Sequence, residues 1–213
     1  MNAAVAQRPP VFSLLGREWD LLPGVFAPVH DLSTQLFTTW LPYPDQGSFL
    51  EIGCGAGVTA VTAALKGCAE VTALDISEEA VENTRLNVRR HGVGERVRVL
   101  RSDLFAELEE GARFDAIFWN SSFIELPPDH VVHNVLERAI FDPGYTTHRS
   151  FLDQAAHYVR PDGRIFLGFS SLGNHELLKS LARQAGLETR TLRGFPAMQP
   201  AVLTYQLLEL VRM

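Results

Sequence analysis

The chain has 213 residues, of which 46% are hydrophobic and 21% are charged, and its formal net charge at pH 7 is −6. This composition is that of a folded domain with an apolar core, and it excludes a disordered chain. The acidic balance argues against nucleic acid or an anionic membrane as the partner. No apolar run reaches the roughly 18–20 residues that span a bilayer.

Two further features bear on where the protein works. The amino-terminal residues lack the pattern of a secretory signal. The two cysteines, Cys54 and Cys68, form no C-x-x-C pair, and we expect both to be small, buried, reduced thiols. We therefore expect a cytoplasmic protein.

Residues 1–47 differ from the rest of the chain, since they are rich in proline and aromatic side chains. We expect them to form one or two helices that lie over the sheet as a lid, ahead of a catalytic domain over residues 48–213. Several aromatic side chains of this segment could cap a pocket and face a positively charged ligand. They are Trp19, Phe26, Phe37 and Trp40.

From residue 48 onward, short apolar runs alternate with longer helix-like stretches, a pattern typical of a parallel sheet with helices on both faces. The expected strands are Ser48–Ile52, Val71–Asp75, Val97–Arg101, Ala116–Trp119 and Arg164–Phe169. The expected helices are Val58–Lys66, Glu78–His91, His148–Val159 and Asn174–Ala185. Two strand-like runs close the chain, Glu188–Arg193 and Val202–Leu210, and they indicate a return hairpin.

The first strand leads into a glycine-rich loop in the segment FLEIGCGAG, residues 49–57. Gly53, Gly55 and Gly57 permit a sharp turn and the close approach of a ligand to the backbone. A helix follows at once. Strand, glycine loop and helix in this order predict a site for a nucleotide-like cofactor.

Acidic side chains at the ends of the first three strands, Glu51, Asp75 and Asp103, distinguish between two cofactors. A nicotinamide dinucleotide prefers the spacing G-x-G-x-x-G, whereas this loop reads G-x-G-x-G and its neighbour Glu51 would repel a pyrophosphate. S-adenosylmethionine (SAM) has no phosphate. Its ammonium suits Glu51, its ribose hydroxyls suit Asp75, and its adenine amino group suits Asp103. We therefore predict SAM as the cofactor.

These motifs resemble those of the class I SAM-dependent methyltransferases over roughly residues 20–213. The resemblance implies a three-layer α/β sandwich with a seven-stranded, mostly parallel sheet and an antiparallel last strand. It also implies which residues hold the cofactor. They are Glu51, Gly53, Gly55, Gly57, Asp75, Ile76, Asp103, Leu104 and Asn120.

The segment VFAPVHDLST, residues 25–34, resembles the entry element of the peptide-release-factor glutamine methyltransferases and their small-molecule relatives. The resemblance implies that Asp31 and Thr34 lie near the methionine part of SAM.

The fourth strand ends in Asn120-Ser121-Ser122-Phe123, which resembles the N-P-P-[YF] motif of amino and amide N-methylating relatives. There the asparagine oxygen and a backbone carbonyl accept the hydrogens of the attacking nitrogen, and the aromatic ring packs on the acceptor. Ser121 and Ser122 replace both prolines. This departure weakens the prediction of a glutamine or nucleobase acceptor, and it adds Ser121 to the predicted catalytic residues.

The insertion after the fourth strand, Glu125–Arg149, carries two further catalytic candidates. Tyr145 could hydrogen-bond the nucleophile or stack on the sulfonium, and His148 could remove a proton. Ser170 closes the fifth strand at the same edge of the sheet. We expect no metal, because Asp129, His130 and His133 lack a fourth ligand at a clear spacing.

We predict an enzyme that transfers the SAM methyl group to a nitrogen or oxygen of a small metabolite, with nucleic acid and membrane excluded as partners and a protein acceptor left open. The alternative is cyclisation of SAM to azetidine-2-carboxylate with release of methylthioadenosine, since the altered motif and the aromatic segment also resemble the azetidine-2-carboxylate synthases. A noncatalytic SAM-binding subunit is the third possibility. It is disfavoured because the acidic residues and Asn120 are all present.

Overall fold

The computed structural model describes residues 10–29, 31–198 and 202–213. The first residues of the expected lid segment and the turn of the expected last hairpin therefore lie outside the described residues. The chain divides into two compact units, one up to Leu108 and the other from Glu109 onward.

The first unit contains five strands and three helices within the described residues. They are β1 (Val11–Leu14), β2 (Arg17–Asp20), α1 (Ser33–Trp40), β3 (Ser48–Ile52), α2 (Val58–Leu65), β4 (Glu70–Asp75), α3 (Glu78–Arg90) and β5 (Val97–Arg101). Every residue of β3 is buried, as expected for a parallel strand covered on both faces. The Ser77 hydroxyl caps α3 by accepting a hydrogen bond from the Ala80 amide, so the predicted start of this helix is confirmed.

The second unit has two short strands inserted after its first long strand. Its elements are β6 (Phe114–Asn120), β7 (Ile124–Leu126), α4 (Val135–Arg138), β8 (Phe141–Pro143), α5 (Thr146–Tyr158), β9 (Val159–Ser170), α6 (His175–Gln184), β10 (Leu187–Met198) and β11 (Val202–Arg212). The Asn174 side chain caps α6 by accepting a hydrogen bond from the Leu177 amide.

The predicted sheet is confirmed. It has seven strands in the order β10-β11-β9-β6-β3-β4-β5. β3 pairs with β4 and β4 with β5 in parallel, and β6 pairs with β9 in parallel. The last strand, β11, runs antiparallel to both β9 and β10. The carboxyl ends of β3, β4 and β5, where the acidic residues stand, therefore share one edge.

The amino-terminal segment differs from the prediction of helices alone, because β1 and β2 form a hairpin and only α1 is helical. Leu15 and Gly16 both have positive φ, 53° and 70°, as a tight two-residue hairpin turn requires. Phe12 lies directly opposite Trp19, and both side chains are buried. This hairpin contacts α3, which buries Trp19 in the core of the first unit. The boundary at residue 47 stays a prediction.

No helix in the described ranges is long and apolar enough to cross a membrane.

Candidate functional site

The glycine loop between β3 and α2 turns through three left-handed residues. Gly53, Gly55 and Gly57 have φ values of 67°, 54° and 79°, which residues other than glycine rarely adopt. A Cβ on Gly57 would lie 2.8 Å from Cγ2 of Thr84, so this glycine lets α3 pack against the loop. A Cβ on Gly55 would meet no described atom within 4 Å beyond its chain neighbours. The Gly55 side of the loop is therefore open to a ligand.

Asp75, the last residue of β4, holds this loop in place. One of its carboxylate oxygens accepts a hydrogen bond from the Gly55 amide at 2.9 Å, and the other accepts one from the Ser77 amide at 2.9 Å. Burial raises the pKa of Asp75, although these hydrogen bonds oppose the shift. Each oxygen retains a second lone pair, so the carboxylate can accept ribose hydroxyls as predicted. The neighbouring Ile76 carbonyl accepts a hydrogen bond from Arg101 at 3.2 Å.

Glu51 is a buried acid with one unsatisfied oxygen. Its side chain is 3% exposed, and burial raises its pKa to about 8, against the effect of hydrogen bonds from Thr59 and the Ala60 backbone. Its Oε2 atom makes no hydrogen bond to any described residue. A buried acceptor without a donor is costly, and a bound ammonium group would supply the missing donor. The residue therefore fits the methionine end of SAM.

The turn after β5 carries the predicted adenine residues Asp103 and Leu104. Leu104 has a φ of 49°, an unfavourable value for a branched side chain. The Ser102 hydroxyl holds this conformation, because it donates to the Leu104 carbonyl at 2.8 Å and accepts from the Glu107 amide at 3.1 Å. Asp103 is exposed, so its carboxylate is accessible to an adenine amino group.

Asp31 and Thr34 lie at the start of α1. The Asp31 carboxylate accepts a hydrogen bond from the Ser33 amide at 2.7 Å, and Thr34 is half-buried in the first turn. Further along α1, the hydroxyls of Thr38 and Thr59 are 2.8 Å apart. Since Thr59 also bonds Glu51, α1 is connected to the acid beneath the glycine loop. The contact of Asp31 and Thr34 with methionine stays a prediction.

In the second unit, the motif that follows β6 is anchored by its serines. Asn120 is the last residue of β6 and pairs with Gly168 of β9. The Ser121 hydroxyl donates to the Gly168 carbonyl at 2.8 Å, and the Ser122 hydroxyl donates to the Arg138 carbonyl at 2.6 Å. These two hydrogen bonds hold the backbone at the positions where the motif has prolines. Ser121 is 3% exposed, which favours an anchoring role over the predicted catalytic one.

Tyr145 supports the other end of this motif. Its hydroxyl donates to the Phe123 carbonyl at 2.5 Å and accepts from the Asn174 amide at 2.8 Å. The side chain is fully buried, and burial raises its pKa to about 12, so the hydroxyl keeps its proton. The predicted contact between Tyr145 and the nucleophile stays a prediction, since the hydroxyl already bonds Phe123 and the start of α6.

His148 forms a buried pair with Asp142. Its Nδ1 atom lies 2.6 Å from a carboxylate oxygen of Asp142, which also accepts the His148 amide at 2.9 Å. Burial lowers the pKa of His148, although Asp142 opposes the shift. Burial also tends to raise the pKa of Asp142, but the bonds from His148 hold it below its ordinary value. A neutral imidazole that donates from Nδ1 leaves Nε2 as an acceptor. This atom is buried without a hydrogen-bond partner in the described chain, and proton removal by His148 stays a prediction.

Ser170 is the last residue of β9 and is fully buried. Its hydroxyl accepts a hydrogen bond from the Leu172 amide at 3.2 Å, and its carbonyl accepts one from the Gly173 amide at 3.0 Å. These bonds form the turn before α6. The hydroxyl therefore has a structural role, and its predicted catalytic role stays a prediction.

Asp129, His130 and His133 are all exposed. No cluster of three or more potential metal ligands occurs among residues 10–29, 31–198 and 202–213.

Sequence reasoning missed the residues of α3 that hold the glycine loop. The Thr84 hydroxyl donates to the Gly55 carbonyl at 3.0 Å, and the Asn87 amide donates to the Ala56 carbonyl at 2.8 Å. Both side chains are fully buried. Buried polar side chains on the inward face of an amphipathic helix were the available signal, because such groups need internal partners.

Comparisons with known proteins give the family of the chain. The family described as methyltransferase small domain matches residues 19–192. A release factor glutamine methyltransferase of Bordetella pertussis is 33% identical over 202 residues, which cover 86% of this chain and 72% of that protein. A ribosomal protein L11 methyltransferase of Methylococcus capsulatus is 30% identical over 172 residues, 80% of this chain and 47% of that protein.

A solved structure shows the same fold. The Thermus thermophilus 16S rRNA N2 G1207 methyltransferase, in complex with AdoMet and guanosine, superposes with a TM-score of 0.66 at 23% identity, covering 95% of this chain and 50% of that one. Fold and glycine-loop site together define a class I SAM-dependent methyltransferase. The chain belongs to the methyltransferase small domain family, and its cofactor is SAM.

These findings overturn the predicted acceptor. The relatives are named for release factors, ribosomal proteins and 16S rRNA, so the small-metabolite acceptor, the cyclisation alternative and the exclusion of nucleic acid were wrong. The exclusion rested on net charge, which does not report where charges lie on a surface. In addition, the chain spans only about half the length of several relatives that it matches.

Proposed function

We propose that this protein transfers the methyl group of SAM to a side-chain amide nitrogen of a protein that acts in translation. The proposal is supported by the 33% identity to a release factor glutamine methyltransferase over 86% of this chain. The observation that carries it is the anchored corner from Asn120 to Phe123, which resembles the N-P-P-[YF] motif of amide N-methylating proteins. The cytoplasmic location stays a prediction. Both cysteines are buried thiols, which agrees with it.

The first unit supplies the groups that hold the cofactor. Glu51 binds the ammonium of the methionine part, Asp75 binds the ribose and Asp103 binds the adenine amino group. The loop backbone around Gly55 leaves room for the ligand. Once bound, SAM supplies a sulfonium methyl group that is already activated for displacement.

The second unit supplies the group that orients the acceptor. The Asn120 side-chain oxygen would accept a hydrogen from the acceptor nitrogen and so orient the nitrogen lone pair for transfer. Bound SAM would supply the methyl group to this nitrogen, with its sulfur leaving as a neutral sulfide. The N-protonated product is strongly acidic and loses its proton to water, so the reaction needs no base of pKa near 7. Alignment and exclusion of water provide most of the acceleration.

An in vitro methylation panel tests the proposal. Purified protein is incubated with trideuteromethyl SAM and, in separate reactions, with the release factors, ribosomal proteins L11 and uL3, and 16S rRNA of the organism that encodes it. We expect mass spectrometry to detect label in one of the proteins. Label that appears only in the RNA would contradict a protein acceptor.

Two variants connect the activity to the corner. Asn120→Ala is expected to lower turnover about a hundredfold, because a small misplacement of the reacting atoms has an effect of this size. The control is Asp162→Ala, which removes an exposed polar side chain near the start of β9 and should leave turnover unchanged. Equal turnover in both variants would show that Asn120 does not orient the acceptor.

A further inference from the structure

Asn87 of α3 connects two parts of the first unit that are far apart in sequence. Its Nδ2 group donates to the Ala56 carbonyl of the glycine loop at 2.8 Å and to the Asp20 carbonyl at the end of the hairpin at 2.9 Å. Its Oδ1 atom accepts the Asp20 amide at 2.7 Å. The side chain is fully buried, and its bond to the Ala56 carbonyl is buried as well, so this bond forms without competition from water.

Asn83, one helical turn earlier, provides an internal comparison. Its Oδ1 atom accepts the Leu22 amide at 2.6 Å, and its Nδ2 group donates to the Asp20 carbonyl at 2.8 Å. Like Asn87 it is fully buried and holds the end of the hairpin. Among the hydrogen bonds of the described residues, however, only Asn87 also reaches the glycine loop.

The loop itself needs such external support. Gly55 and Gly57 flank Ala56, and glycine restricts the backbone less than any other residue. The loop is therefore held from outside, by Asp75 at the Gly55 amide, by Thr84 at the Gly55 carbonyl and by Asn87 at the Ala56 carbonyl. Of these three side chains, Asn87 is the one that the hairpin also holds in position.

We infer that Asn87 is a positioning residue for SAM and that the hairpin of β1 and β2 belongs, through Asn87, to the cofactor-binding apparatus. When the hairpin is docked, Asp20 fixes both ends of the Asn87 amide group. The amide then fixes the Ala56 carbonyl, and with it the path of the loop against which the methionine part lies. This inference rests on the binding of SAM and not on the identity of the acceptor.

Calorimetry with SAM and thermal unfolding of the full chain test the inference. Asn87→Ala and Asn83→Ala each remove two bonds to the hairpin segment, so both should lower the unfolding temperature. Asn87→Ala should also weaken SAM binding by about tenfold, since a single buried hydrogen bond has an effect of this order. Asn83→Ala loosens the hairpin but keeps the bond between Asn87 and Ala56, so we expect its SAM dissociation constant to rise by no more than about threefold. Equal constants in the two variants would overturn the inference.

Hydrogen exchange on the wild-type protein gives a second test that needs no variant. Coupling between two sites is reciprocal, so saturating SAM should protect the Asp20 amide, which Asn87 binds. We expect exchange there to slow by about fivefold, at the lower end of the usual coupling range. The exposed amide of Arg113, at the start of the other unit, is the control. If SAM leaves exchange at Asp20 unchanged, the hairpin is not part of the cofactor apparatus.

Discussion

The Nδ1 atom of His148 lies 2.6 Å from a carboxylate oxygen of Asp142, and water reaches neither side chain. The imidazole ring stacks on Tyr145 with ring centroids 4.3 Å apart. The Tyr145 hydroxyl in turn bonds the Phe123 carbonyl, at the end of the corner that begins with Asn120. A buried pair thus supports the proposed acceptor position through an aromatic ring.

This buried pair predicts a pH dependence of stability. Because the pKa of folded His148 lies below its ordinary value of 6.5, the unfolded chain binds a proton below this pH that the folded protein excludes. Stability is therefore lost as pH falls below about 6.5. Asp142, whose pKa is lowered, contributes stability that is lost at still lower pH. In His148→Phe the dependence between about pH 6.5 and 5 should be weaker than in wild type.

Urea unfolding at several pH values measures this effect. His157→Asn is the matched control, since His157 lies on the same helix but is exposed, and its pH dependence should equal that of wild type. An unchanged slope in His148→Phe would mean that His148 is not held neutral in the folded protein.

Tyr145→Phe removes the hydroxyl but keeps the ring that stacks on His148. The Phe123 carbonyl and the Asn174 amide would each lose a partner, so we expect the free energy of unfolding to fall by about 1–3 kcal/mol. Turnover should fall about tenfold or more because the corner is less well fixed, whereas the SAM dissociation constant should change little. A variant that turns over at the wild-type rate would show that the corner does not need this hydroxyl.

Glu51→Gln should stabilise the free protein and weaken cofactor binding. The folded-state pKa of about 8 exceeds the ordinary 4.5, so the folded protein retains a proton that the unfolded chain releases. Wild-type stability therefore falls as pH rises from about 4.5 to about 8. The glutamine amide does not titrate, so Glu51→Gln lacks this fall. At pH 8 the unfolding free energy of the variant should exceed that of wild type by a few kcal/mol, since one pKa unit corresponds to about 1.4 kcal/mol.

In the proposed role of Glu51, the ammonium of SAM pairs with its carboxylate, which the same variant lacks, so we expect affinity to fall about 10–100-fold. Thermal unfolding and calorimetry measure the two effects. Glu70→Gln, at the exposed start of β4, is the control and should show neither. Tight SAM binding by Glu51→Gln would remove the proposed role of this acid.

Gly57→Ala and Gly55→Ala should separate packing from ligand binding. A methyl group on Gly57 collides with Thr84, and we expect a loss of about 2–4 kcal/mol in unfolding free energy. On Gly55 the methyl group enters open space, so we expect about 1–2 kcal/mol from the left-handed backbone alone, together with loss of SAM binding. Unfolding and calorimetry of both variants give the comparison. Normal SAM affinity in Gly55→Ala would place the cofactor elsewhere.

Local sequence patterns were sufficient to predict a strand and a helix of the first unit. The strand Ser48–Ile52 was predicted with its observed bounds, because a short apolar run before a glycine loop has few alternatives. Helix α3 was predicted from its Ser77 cap and ends within one residue of the predicted position. Each of these signals lies within the segment that it describes.

The features that were missed depend on partners distant in sequence. The hairpin of β1 and β2 is held by Asn83 and Asn87, more than sixty residues away, and nothing within residues 11–20 indicates this. The Ser121 hydroxyl donates a hydrogen bond to the Gly168 carbonyl. This contact exists only because β6 pairs with β9. The exclusion of nucleic acid was wrong because it used net charge, whereas the distribution of charge on the surface decides.

The position of the transferred methyl group tests the central proposal most directly. After incubation with trideuteromethyl SAM, tandem mass spectrometry of the labelled acceptor locates the label. We predict the label on a side-chain amide nitrogen of a protein that acts in translation, with adenosylhomocysteine formed in equal amount. A label on an oxygen or on a nucleotide, or release of methylthioadenosine without any transferred methyl group, would contradict the proposal.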